Sequence, residues 1–89
     1  MNFLGINVIA TSTHYSANSV YTHEKERKEA INMDKIVKIF PATIKDYPNC
    51  TGILLDNYSV VFVDDTFDGF MWYISNISNM RRDDDYDTD

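Results

Sequence analysis

The stretch Gly52-Ile-Leu-Leu-Asp-Asn-Tyr-Ser-Val-Val-Phe-Val-Asp-Asp-Thr-Phe-Asp-Gly-Phe-Met-Trp-Tyr-Ile-Ser-Asn-Ile77 decides how the rest of the chain is read. Two short apolar runs flank Asp56-Asn57, and a helical pattern follows at once. Asp and Asn both tolerate the positive φ of a two-residue primed turn, so the stretch predicts a β-hairpin feeding a helix. In that register Leu55 faces Tyr58, Ile53 faces Val60 and Thr51 faces Phe62, with Leu54, Val61 and Val63 on the other side. Both faces are then apolar, and such a hairpin needs cover on two sides. The helix supplies one cover. The second must come from the N-terminal third, a second copy of the chain or a different protein.

The helix is expected to start near Asp65-Thr66, where either side chain can cap the first free N–H groups. Phe67, Phe70, Met71, Ile74 and Ile77 follow the spacing of a single apolar stripe. Trp72, the only tryptophan, falls nearly opposite the centre of that stripe, together with Asp65, Asp68, Gly69 and Asn76. Tryptophan is enriched where binding energy concentrates. Trp72 is therefore read as a contact residue on an acidic helix face, against the plainer reading that it belongs to the core. Tyr73 sits at the stripe's edge and is expected to be half-buried.

Charge divides the chain at Met33. Residues 1–33 carry three acids and three bases, while residues 34–89 carry eleven acids and five bases, so the whole net charge of −6 lies in the second part. All three Glu precede Met33, and every acid after it is Asp. This gives three expected parts: 1–33 neutral and accessory, 34–80 a compact hairpin–helix core, and 81–89 an acidic tail without structure. Lys28-Glu29-Ala30 would be encoded by a purine-rich run placed like a bacterial ribosome-binding site. Met33 thus stands as an alternative start to Met1.

In the first part, Asn2 to Ala10 reads as a strand and Thr11 to Thr22 as a polar loop. From His23 to Ile31 the charges alternate, with Glu24 and Lys28 at the helix-favouring i,i+4 spacing, so a polar N-terminal helix is expected there. Lys35 to Phe40 reads as a strand that Pro41 ends or confines to an edge. Ala42 to Thr51 reads as a turn-rich connection. The expected fold class is α+β: a small antiparallel sheet of three or four strands, one amphipathic C-terminal helix on one face, and the polar N-terminal helix.

No motif names a reaction. Asp64 to Gly69 resembles the front half of an EF-hand loop, with oxygen ligands at positions 1, 3 and 5 and Gly at 6. Position 12 is Ser75 rather than a bidentate Glu, and a strand precedes the loop, so strand end and helix cap explain these residues better. His14 and His23 fit no ligand spacing and read as exposed polar residues. Cys50 has no activating neighbour in sequence and reads as a small apolar group. No cofactor and no metal are expected, and the chain is read as non-enzymatic.

A chain of net charge −6 is repelled by phosphate backbones and attracted by basic protein surfaces. Asp83, Asp84, Asp85 and Asp87, with Asp64, Asp65 and Asp68, can imitate spaced phosphates. In this respect the chain resembles virus-encoded inhibitors and DNA mimics as a class. The expected function is a cytoplasmic acidic module, encoded by a phage or mobile element, that docks on a basic surface and modulates it. Its contacts would be Trp72, Asp65, Asp68, Asn76 and the Asp83–Asp87 run, with no direct nucleic-acid or membrane contact. The alternatives are a small homodimeric assembly subunit and, third, a divalent-metal enzyme.

Overall fold

A computed structural model describes residues 2–13 and 22–87, with side chains described for 2–13 and 25–77. The fold is α+β, with a five-stranded antiparallel sheet and one C-terminal helix. The strands are β1 (Phe3–Ser12), β2 (Thr22–Asn32), β3 (Ile36–Ile44), β4 (Tyr47–Leu55) and β5 (Val60–Val63), and the helix is α1 (Phe67–Asp87). Their order across the sheet is β2-β1-β5-β4-β3.

Every strand lies beside its neighbour in the chain except β2 and β3, which form the two edges. Only a 3-10 turn, Met33–Lys35, joins these edges. A residue spans at most about 3.6 Å, so so short a link requires the sheet to coil until the end of β2 meets the start of β3. The Met33 N–H donates to the Asn2 carbonyl at this corner, 2.7 Å away, and the Asp56 N–H donates to the Lys35 carbonyl, 2.9 Å away. The sheet is thus a rolled five-strand meander, closed by the β1–β5 pairing and open at the β2–β3 seam.

The coil creates an inner and an outer face. Leu4, Ile6, Val8, Ile53, Val63 and Phe70 form the inner core, with Ile31, Ile36, Ile39, Tyr73, Ile74 and Ile77 packed around it. All five strands and α1 therefore share one core. The outer core holds Ile9, Ala10, Ile44, Cys50, Leu54, Val60 and Phe62. A register shift between Val8 and Ala10 turns Ile9 outward, so β1 feeds both faces. Phe40, Ala42 and Tyr47 pack on the outer core, and Val60 and Phe62 are buried. The second cover of the hairpin thus comes from β1 and the β3–β4 hairpin of the same chain.

Three expectations about the elements are corrected. Among the described residues there is no N-terminal helix, because His23–Ile31 lies in β2, paired along β1 from Phe3↔Asn32 to Thr11↔Thr22. The i,i+4 charge spacing fits a strand equally well, since its alternation puts Arg27 and Glu29 on one face, where they form an ion pair. The long partner β1 outweighs a weak local propensity, and the charges suit an edge strand exposed to solvent. The sheet has five strands rather than three or four, since β2 is a strand and the expected Ala42–Thr51 connection is a tight turn between β3 and β4. Pro41 does not end β3, and it sits on the edge strand where a missing N–H leaves no ladder bond unmade.

The third correction is the hairpin register. Leu54 pairs with Val60, Ile53 with Val61 and Gly52 with Phe62, one residue away from the expected pairing. The Tyr58 N–H donates to the Leu55 carbonyl at 3.0 Å, and the Leu55 N–H donates to Ser59 at 2.9 Å. Tyr58 itself takes φ 66°, adding a third loop residue. A slip of one residue exchanges faces, so Val60 and Phe62 join Leu54 outside while Val61 and Val63 join Ile53 inside.

Candidate partner-binding site

Thr66 opens α1: its Oγ1 accepts from the Gly69 N–H at 3.2 Å, and Asp68 stands in the first turn, where an acid favours the helix dipole. Thr51 anchors the preceding loop by donating its hydroxyl to the Asp65 carbonyl, 2.7 Å away. These bonds account for the residues that resemble half an EF-hand loop. Among the described residues no three His, Cys, Asp or Glu side chains group closely enough to hold a metal ion.

One bond sets the rotation of α1. β5 pairs with β1 only from Val8 to Ser12. Below that point the β1 edge faces the helix, and the Tyr73 hydroxyl donates to the Gly5 carbonyl at 2.8 Å. Phe70 is buried, and its ring centroid lies 6.2 Å from that of Tyr73, tilted by 52°. With Phe70, Tyr73, Ile74 and Ile77 turned inward, Met71 lies at the rim, and Trp72 is 69% exposed. The expected stripe is thus rotated slightly, with Tyr73 taking the inward place expected for Met71.

Beside Trp72 an open groove of about 590 Å³ runs between α1 and the β1–β2 pair. Its walls include Trp72, Tyr73 and Gly69 from the helix, Asp65 from the loop before it, Ile6 from β1 and Glu29 from β2. Glu29 pairs with Ile6 and Lys28 with Asn7, and all four residues line the groove, so it carries a cation of β2 beside the two carboxylates.

The groove brings together two of the residues singled out from sequence, Asp65 and Trp72. Asp68 is exposed on the first turn of α1 and is not part of its lining. The Asn76 amide donates back to the Trp72 carbonyl at 2.9 Å, which fixes the side chain along the helix. The backbone of Asp83, Asp84, Asp85 and Asp87 continues α1, so the helix includes most of the acidic run, and Asp89 lies outside the described residues. Those side chains also lie outside the described part, as do His14 and the side chain of His23. Sequence reading does not reach Glu29, because the charge spacing of its segment fits a helix as well as a strand. The i,i+2 Arg27–Glu29 pair was the signal available for a strand.

Cys50 is buried in the outer core. Burial pushes its thiol above the ordinary range, and the Asp64 carboxylate adds to the shift. It is held as a neutral thiol rather than a nucleophile. No helix among the described residues is long and apolar enough to cross a membrane. No protein-family model, no curated protein and no solved structure matches the chain.

Proposed function

We propose that the protein is a non-enzymatic acidic binding module that docks on a basic surface of another protein and inhibits or modulates it. The observation that carries this reading is Trp72, 69% exposed beside a groove and within a turn of Asp68. An exposed indole that contributes little to its own core is suited to burial by a partner. The chain's net charge of −6 favours a basic partner and steers association more than it adds affinity. The acidic run at the end of α1 extends that field, and the phage-inhibitor or DNA-mimic style of action is the form it would take. A cytoplasmic setting and the absence of direct nucleic-acid contact belong to the same proposal.

A homodimer would need an uncovered hairpin face, and Ile9, Ala10, Phe40 and Tyr47 pack on that face within the chain. It keeps no specific observation in its favour. The metal-enzyme reading is likewise left with Asp64, Asp65 and Asp68 as strand end and helix start.

The test is affinity capture from the native host with the wild-type chain and Trp72→Ala in parallel, at low and high salt. The wild type is expected to retain a basic protein at low salt only. The variant is expected to lose it while its stability stays within about 0.5 kcal/mol of wild type. Equal capture by the variant, or capture indifferent to salt, would contradict the reading.

A further inference from the structure

We infer that the lower edge of β1, left without a strand where β5 stops, accepts an extended segment of the partner's backbone in the groove. This rests on the binding-module reading and names how the partner enters the site. β1 runs from Phe3 to Ser12, but its pairing with β5 stops at Val8, opposite Val63. Hydrogen-bonding direction alternates along an antiparallel strand. The Met33 N–H donates to the Asn2 carbonyl, which makes these two a hydrogen-bonded pair. In the same register Leu4, Ile6 and Val8 turn their N–H and C=O groups onto β2. Gly5 and Asn7 turn theirs the other way, toward the place that β5 does not reach. The Tyr73 hydroxyl reports the same direction, since it donates to the Gly5 carbonyl from the helix at 2.8 Å.

The space beside this edge suits a strand. α1 packs closer to β3 and β4 than to β1, and the groove opens between α1 and β1–β2. Gly5 and Asn7 line it and are exposed, and Gly69 faces it without a side chain. A methyl group at Gly5 would meet only the Tyr73 hydroxyl within 4 Å. That hydroxyl holds the place that a strand N–H would take on the Gly5 carbonyl. The exposed indole of Trp72 stands at the rim, where it can cover a side chain of the added segment. Lys28 lines the groove with Asp65 and Glu29, so side-chain charge does not select this occupant. Strand addition draws its affinity from main-chain bonds, which every sequence offers. The two outer edges are less suited. β2 departs from register opposite Val8–Ala10, and β3 shifts register twice and contains Pro41, devices that blunt an edge.

The experiment measures amide hydrogen exchange in the isotope-labelled full chain, then adds acetyl-Thr-Val-Thr-Val-Thr-amide at millimolar concentration. In the free chain the Gly5 and Asn7 amides are expected to exchange faster than those of Ile6 and Val8. With the peptide they are expected to slow and shift downfield, and the Trp72 indole N–H is expected to move in step. The same peptide N-methylated at every residue is expected to leave them in place. Trp72→Ala is expected to weaken binding about fivefold. Tyr73→Phe, which uncovers the Gly5 carbonyl, is expected to strengthen it about threefold. Gly5 and Asn7 amides as slow as their neighbours in the free chain would overturn the inference, because the edge would already be paired. Equal binding of the methylated peptide, or changes confined to β2 or β3, would overturn it as well. The same slowing produced by raising the protein concentration alone would overturn it in favour of a second copy at this edge. No response to the peptide would overturn the inference and leave the acidic-module reading to the salt-dependent capture.

Discussion

Tyr58 is the residue whose conformation and chemistry disagree. It holds φ 66° in the β4–β5 loop while its side chain is 72% exposed, so little packing compensates for the strained backbone. Glycine adopts this region without a Cβ clash. Tyr58→Gly is therefore expected to raise stability by about 0.5–1 kcal/mol, read as a higher urea midpoint at unchanged slope. A lower midpoint would show that Tyr58 makes a contact that matters more than its backbone. Asn57 supports the same loop, its Oδ1 accepting from the Ser59 N–H at 3.0 Å. This is why Asp56-Asn57 was legible as a turn. The positive φ on a tyrosine was not legible, because that residue type gives no sign of it, and the hairpin register slipped by one in consequence. At Trp72 the phase of the apolar stripe predicts an outward position, and the side chain is exposed.

At the scale of elements, β1, the first half of β3, the second half of β4, β5 and the start of α1 were legible from apolar alternation, turn residues and a capping threonine. β2 was not. Its charges carry no strand signature, and what makes it a strand is the edge of β1, a partner about twenty residues earlier in the chain. The same error concealed Glu29 and with it half of the groove. The division at Met33 is a division of charge and not of structure. β1 lies between β2 and β5 and supplies Leu4, Ile6 and Val8 to the core that buries Phe70. A chain beginning at Met33 would expose the β5 edge and the inner faces of Ile53 and Val63. Losing several fully buried aliphatic side chains at about 2–5 kcal/mol each exceeds the stability of a small domain. The 33–89 fragment is expected to lack a cooperative thermal transition and native amide dispersion. A cooperative transition like that of the full chain would refute the shared core.

Taken whole, the molecule is a coiled sheet whose two cores are closed by its own strands and by one helix. The helix serves both purposes: Phe70 and Tyr73 hold it to the sheet, and the same turn presents Trp72 outward beside Asp65 and Glu29. The central claim is that the only tryptophan of the chain stands exposed in a field that draws cations. Ionic quenching of its fluorescence in the folded protein tests this most directly, because no other indole contributes. At low ionic strength caesium is expected to quench Trp72 more strongly than iodide measured against their efficiencies on free tryptophan, and added salt is expected to erase the difference. An indole that neither ion reaches, or that iodide quenches better, would contradict the account.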